Sequence, residues 1–193
     1  MNLPPLILAS ASPRRSELLR QMGLDFAVIT APTPEIQPEH LTPLETCQIN
    51  AYRKARAVAK KHPDALVLGA DTLVWLDTRI FGKPASPEDA ERMLTELQGR
   101  EHHVTTGLCL IQRRAHRQKT FADTTSVVFH PLGLPQIRAY LARIHPFDKA
   151  GAYAIQQHGE MIVEKIEGSF SNVVGLPVER LREELAAWPG PRG

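Results

Sequence analysis

The sequence predicts an α/β domain: a mixed, twisted sheet with flanking helices. Two observations carry that expectation. Short apolar runs of strand character alternate with stretches of helical period, each helical stretch opening on a capping signal. Some strand candidates follow one another across only a turn, so antiparallel hairpins interrupt the strand–helix alternation and make the sheet mixed.

Residues 6–9, Leu-Ile-Leu-Ala, form a buried strand. Ser12 then fits a helix N-cap, with Pro13 at the first helical position, Leu18, Leu19 and Met22 on the inner face and Gly23 as the stop. Residues 24–30 return as a strand, and the proline-rich stretch 31–40 is a loop. Thr42-Pro43-Leu44-Glu45 is a capping box opening a helix to about Lys61. Residues 65–68 read as a central strand running on through Gly69 into a hairpin over 73–81. Ser86-Pro87-Glu88-Asp89 caps a third helix ending at Gly99. Strands over 104–112 and 120–129 flank a basic stretch. A helix over 135–144, a glycine-containing loop, a strand over 160–166 and a helix from Pro177 complete the chain.

With 193 residues the chain is expected to form one domain over 1–187, two-lobed around a central cleft, with a disordered tail over 188–193. Hydrophobic residues make up 42% and charged residues 23%, ordinary values for a globular protein. A net charge of +2 argues against a general nucleic-acid binder, so no stable nucleic-acid binding is expected. Cys47 and Cys109 show no metal-ligand spacing and read as reduced thiols. The apolar start has its arginines after the apolar run, the reverse of a secretory signal, and nothing reaches transmembrane length. A cytoplasmic protein without membrane association is expected.

Chemistry concentrates in a few clusters. Ser10-Ala11-Ser12-Pro13-Arg14-Arg15 lies between a strand and a helix, where free backbone N–H groups and the dipole suit phosphate. Consecutive helical side chains diverge by roughly 100°, so Arg14 and Arg15 serve different groups. The bland alternative, a solvated first turn, stays open at this point. Gly69-Ala70-Asp71-Thr72 follows a buried strand, and Gly82-Lys83-Pro84 follows the hairpin. A turn centred on Asp77-Thr78 sets Leu76 opposite Arg79 and Thr72 opposite Lys83, with Lys83 diagonal to Asp71. An acid and a lysine there suit water activation, metal binding and phosphate neutralisation, or a structural ion pair. The run from Asp148 to Gln156 has small residues that allow close backbone approach, and Gln156 offers donor and acceptor for a base edge; an ordinary turn is the alternative. Residues 167–177 form a polar loop leading into a helix.

In this order, Ser10-Ala11-Ser12-Pro13-Arg14-Arg15, Gly69-Ala70-Asp71-Thr72, Gly82-Lys83-Pro84, the Asp148–Gln156 run and Ser171-Asn172-Val173-Val174-Gly175-Leu176-Pro177 closely resemble the Maf family of nucleoside triphosphate pyrophosphatases. The resemblance extends from about Leu6 to Leu181. It implies a fold similar to the inosine triphosphate pyrophosphatases, cleavage between the α and β phosphates to give a monophosphate and pyrophosphate, and a divalent cation, Mg²⁺ or Mn²⁺. It assigns Asp71 as the proton acceptor, with Lys83 and Glu35 beside it in catalysis. Ser10, Arg15, Lys54 and Lys83 become phosphate-binding residues, and Asp71 and Glu35 metal ligands. The stretch Ala31-Pro32-Thr33-Pro34-Glu35 departs from the family's usual valine-aspartate-glutamate pattern.

Within the family, Arg14, Thr72 and Gln156 resemble the subgroup that takes dTTP and UTP, in contrast to the subgroup linked to 7-methyl-GTP. A house-cleaning role on modified pyrimidine nucleotides and a homodimer are further implications. The competing reading is a non-catalytic regulator of septum formation. Elsewhere the residues read plainly: the eight histidines as surface or strand residues without zinc spacing, Trp75 as packing, and the basic stretch 113–119 as a solvated hairpin tip.

Overall fold

The computed structural model describes residues 3–189. Seven strands form one mixed sheet: β1 (Leu6–Leu8), β2 (Phe26–Val28), β3 (Leu66–Leu76), β4 (Arg79–Phe81), β5 (Glu101–Gln112), β6 (Arg117–Phe129) and β7 (Val163–Glu167). The order is β2-β1-β3-β5-β6-β7, with β4 paired to β3. β1 runs parallel to both β2 and β3, while β4 and β7 are antiparallel to their partners. The helices are α1 (Pro13–Gln21), α2 (Pro43–Ala59), α3 (Pro87–Leu97), α4 (Leu134–Leu141), α5 (Phe170–Val174) and α6 (Val178–Ala186).

The capping signals act as the sequence leads one to expect. Thr42 and Glu45 exchange hydrogen bonds, Thr42 N–H to Glu45 Oε2 at 2.9 Å and Glu45 N–H to Thr42 Oγ1 at 3.3 Å, which closes the first turn of α2. Ser12 and Ser86 cap α1 and α3, each with proline in the first turn. Boundaries differ at several places. β5 and β6 begin earlier than expected, at Glu101 and Arg117. The strand expected over 160–166 begins only at Val163, because Gly159–Met161 forms a 3₁₀ turn. Residues 170–174, expected as loop, form the short helix α5. Of the expected tail, Trp188 donates its indole N–H to Gln112 Oε1 and the Pro189 carbonyl accepts from Arg117; 190–193 lie outside the described residues.

The chain divides into two compact units. The first holds residues up to Asp71, 106–123 and 175 onward. Its core packs Ile7, Val67, Cys109 and Ile111 of the sheet against Ala51, Ala55 and Val58 of α2. The approach of α2 is unusually close. A methyl group on Gly69 would lie 2.2 Å from the Ala51 carbonyl oxygen, and one on Gly107 would lie 2.5 Å from the Cys47 carbonyl carbon. The basic stretch is tied into this unit rather than solvated throughout: Arg114 forks onto Asp64, and Lys119 pairs with Glu184 at 3.4 Å.

The second unit holds residues 72–105 and 124–174. Its core combines Phe81, Leu94, Leu97, Phe129, Ile137 and Tyr140, all almost wholly buried. Two neighbouring histidines of β5 have different surroundings. His102 is fully buried among aromatic rings, and His103 packs edge-on to Trp75 at 4.3 Å.

Gly69→Ala should therefore force backbone against backbone, costing at least the ~1–3 kcal/mol typical of overpacking. Gly82, where a methyl group would meet nothing within 4 Å and φ is not positive, is the control. Its change to alanine should move stability by no more than about 0.5 kcal/mol. Denaturant midpoints of the two variants check both expectations.

Candidate active site

In the first unit, β3 and α2 bring together residues that are distant in sequence. Along β3, side chains alternate, so Asp71 shares a face with Gly69, and that face meets α2. Asp71 is only 3% exposed. Lys54 on α2 reaches its Oδ1 with Nζ at 2.6 Å, and Asn50, one helical turn earlier, donates Nδ2–H to Oδ2 at 3.1 Å. The same ammonium lies 2.7 Å from Glu35 Oε1. One lysine thus bridges two carboxylates.

Glu35 arrives from the proline-rich loop, whose backbone has no strand partner. A polar stripe on α2 supplies its hydrogen bonds instead. The Asn50 amide accepts from the Ile36 N–H and donates to the Ile36 carbonyl, both at 2.9 Å. Arg53 donates to the Pro34 carbonyl at 2.7 Å. Asn50, Arg53 and Lys54 stand at i, i+3 and i+4, so one face of the helix fixes Pro34, Glu35 and Ile36 together. Asn50 is absent from the residues anticipated by sequence. The available signal was a lone asparagine on a helix face otherwise made of Cys47, Ala51, Ala55 and Val58.

Arg15 and Ser10 come from the turn between β1 and α1. Arg15 is 9% exposed and donates Nε–H to the Gly175 carbonyl at 2.9 Å. Its Nη1 donates to Ser10 Oγ at 2.9 Å and to the Ala70 carbonyl at 3.1 Å. The guanidinium therefore joins the first motif, the middle of β3 and the residue that opens the way into α6. Arg14, the next position around the helix, is half-buried.

Burial dominates the electrostatics. Desolvation raises the Asp71 pKa above its ordinary value of 3.8; the Lys54 charge and hydrogen bond oppose that, Glu35 adds to it, and Arg15 opposes it. Desolvation likewise lowers the Arg15 pKa, with Asp71 opposing and Arg14 reinforcing.

Thr72, Lys83 and Gln156 belong to the second unit. Thr72 follows Asp71 on β3 and points to the opposite face of the strand. The hairpin turns at Asp77-Thr78 with Leu76 opposite Arg79, as expected. Lys83 is a correction. The ladder stops at the Val74–Phe81 pair, so Thr72 and Lys83 do not face each other in register. Beyond Phe81 the chain leaves β3 and turns to the Gly151 segment, the Gly82 carbonyl accepting from the Gly151 N–H at 3.0 Å. That bond joins the Gly82-Lys83-Pro84 motif to the start of the Gly151–Gln156 segment, leaving Lys83 exposed.

Gln156 is exposed in a turn after two consecutive left-handed residues, Gly151 at φ 69° and Ala152 at φ 62°. The residues between are buried. Tyr153 stands perpendicular to the His102 and Phe129 rings, with its hydroxyl 3.0 Å from His102 Nε2. Burial drives the His102 pKa down to about 3, so this ring is a neutral hydrogen-bonding partner.

For a metal, the suitable donors are the hard carboxylate oxygens of Glu35 and Asp71, which converge on one cationic nitrogen. Among the described residues, no group of three or more His, Cys, Asp or Glu gathers into an all-protein cage.

The family model described as Maf-like protein matches residues 5–188. The chain belongs to the Maf-like family. Its Maf-like relatives include the dTTP/UTP pyrophosphatases of Moorella thermoacetica, 48% identical over 94% of this chain and 93% of that protein, and of Akkermansia muciniphila, 46% identical over 91% and 92%. That of Pelotomaculum thermopropionicum is 45% identical over 93% and 94%. Among solved structures, the Staphylococcus aureus Ham1 protein aligns with TM-score 0.52 at 17% identity, covering 94% of this chain and 98% of its own. A HAM1 protein from Coxiella burnetii aligns with TM-score 0.50 at 13% identity, covering 96% and 100%. The Maf-like sheet with flanking helices is thus shared with the Ham1 fold, as the sequence led one to expect.

The raised Asp71 pKa fixes the sign of a stability effect. The folded state holds its proton to higher pH than the unfolded state, so the contribution present below 3.8 is lost as pH rises from there through the folded pKa. Asp71→Asn should flatten this fall in denaturant midpoint. In a carboxyl ¹³C titration of the metal-free protein, Lys54→Met should move the Asp71 midpoint up and Glu35→Gln should move it down. A midpoint unmoved by either change would contradict the assigned causes.

Proposed function

We propose that this protein hydrolyses nucleoside triphosphates, with dTTP and UTP as substrates, to the monophosphate and pyrophosphate. The observation that carries this reading is Asp71: a buried carboxylate with raised pKa, held at both oxygens, with a buried guanidinium close enough to perturb it. The names of the relatives supply the substrate, and identity above 40% over nine-tenths of both chains supports carrying it over. Those names favour the enzyme over a non-catalytic septum regulator, and the pyrimidine subgroup over the one linked to 7-methyl-GTP.

The reaction asks for a water nucleophile, a proton acceptor and stabilisation of charge on phosphate oxygens. Asp71 takes the proton from water as the oxygen attacks the α-phosphorus and pyrophosphate departs. Lys54 and Asn50 fix the carboxylate and keep it from turning away. Arg15 and Ser10, at the N-terminal end of α1, bind phosphate, where the helix dipole adds to the guanidinium. Lys83 as a phosphate-binding and catalytic residue, and Arg14, Thr72 and Gln156 as specificity residues, rest on the family resemblance.

Glu35 and Asp71 are the residues that would hold a Mg²⁺ or Mn²⁺ ion, their hard carboxylate oxygens being the suitable donors, beside the Lys54 ammonium that joins them. Such an ion, when bound, supplies charge neutralisation on the phosphates. A house-cleaning role in the cytoplasm and a homodimeric state complete the reading.

Hydrolysis of UTP in ¹⁸O-labelled water should place the label in UMP and leave pyrophosphate unlabelled. Orthophosphate and UDP as first products would overturn the assignment of the cleaved bond. Asp71→Asn should lower kcat by about 10²–10⁴, the usual loss on removing a general base, with the fold retained by circular dichroism.

A further inference from the structure

The segment carrying Gln156 is held in a costly shape. Left-handed φ at Gly151 costs little, but at Ala152 it is unfavourable for a residue with a Cβ. No strand partners this segment in the sheet, so its buried backbone groups need hydrogen bonds from elsewhere. At Ala154 both come from one side chain. The Tyr140 hydroxyl accepts from the Ala154 N–H at 3.0 Å and donates to the Ala154 carbonyl at 3.1 Å. Tyr140 is fully buried on the inner face of α4, one turn from Ile137. The Ala154 carbonyl also accepts from the Gln157 N–H at 3.2 Å, which closes the turn that presents Gln156.

We propose that the Tyr140 hydroxyl is a positioning residue for substrate selection: by clamping both backbone groups of Ala154 it sets the Gln156 amide at one height and angle. This inference rests on the reading that Gln156 contacts the base. Its physical basis is that an amide discriminates between nucleobases only when its donor and acceptor are fixed, because a mobile amide can follow either polarity. Tyr140 touches no substrate in this scheme and acts through Ala154. The phenol suits the task because burial pushes its pKa up to about 12, so it remains a neutral group able to donate and accept at once.

The test compares Tyr140→Phe, Gln156→Ala and the parent enzyme at fixed metal. Tyr140→Phe keeps the ring and removes only the hydroxyl. We expect faster amide exchange at Ala154 and Gln157 in the nucleotide-free protein, and a UTP-to-GTP ratio of kcat/KM smaller by roughly three- to tenfold, the scale of one lost hydrogen bond. The change should fall mainly on KM for UTP. Tyr140→p-aminophenylalanine, which restores a donor and an acceptor at the same place, should recover both readouts; it also serves if the phenylalanine variant fails to fold. If Gln156→Ala shrinks the ratio while Tyr140→Phe preserves it, this inference is wrong and the reading of Gln156 stands. If Gln156→Ala leaves the ratio unchanged, the reading of Gln156 falls and this inference falls with it.

Discussion

The contact on which the first unit depends is the backbone-to-backbone approach of α2 to β3. Helices usually rest on sheets through their side chains. At Gly69 there is no side chain to stand on, and Ala51 and Ala55 give the helix almost none in return. A second glycine, Gly107, admits the backbone around Cys47 in the same way. This closeness places Asn50 and Lys54 within direct hydrogen-bonding distance of Asp71. A helix resting on larger side chains would leave room for water between them and lose the desolvation that raises the Asp71 pKa. Packing and acid–base character are therefore one constraint seen at two levels.

A buried carboxylate is unstable unless paired, and a buried pair is inert if its charges cancel too well. Asp71 sits between these limits. Lys54 offsets its charge, but the same ammonium also serves Glu35, which stands 48% exposed at the surface. Desolvation raises the Asp71 pKa, and the opposing Lys54 charge does not outweigh it, with the nearby Glu35 carboxylate adding to the rise. Arg15 contributes from the other side, where two carbonyls and a hydroxyl accept from its guanidinium. These contacts orient the group, and a charge kept in a poorly solvated place attracts an anion strongly.

Much of this was legible from local signals. Capping residues located α1, α2 and α3, because a cap is a bond between residues three apart and needs no tertiary context. The Asp77-Thr78 turn gave the register of β3 and β4 for the same reason. Asp71 and Arg15 were readable through motif order, and Lys54 and Glu35 through the family resemblance; Asp71, Arg15 and Lys54 come from the middle of a strand, a helix start and a helix face. What escaped was long-range. Asn50 shows locally only as an asparagine on an apolar helix face, and its partners Ile36 and Asp71, 14 and 21 residues away, are not legible from that. Strand alternation alone predicts a Thr72–Lys83 pair, but the ladder ends at Val74–Phe81, before it can reach them. The fully buried His102 escaped because a histidine on a strand does not announce whether its face is wet or aromatic.

Both units solve the same problem in the same way. Each has a loop without a ladder partner: one made extended by Pro32 and Pro34, the other forced left-handed at Gly151 and Ala152. In each loop one buried helical side chain satisfies the N–H and C=O of a residue together, Asn50 on Ile36 and Tyr140 on Ala154. The two groups have little in common except the ability to donate and accept within a small volume. Lysine, arginine or a carboxylate cannot do this, and serine is too short to span from a helix to a loop. The requirement also explains why each grip lies next to a residue of interest rather than on it. Glu35 precedes Ile36 and Gln156 follows Ala154 by two, so each of these side chains is left out of the grip. Lys54 can then bind Glu35 without also having to hold the loop, and the Gln156 amide keeps both its donor and its acceptor available.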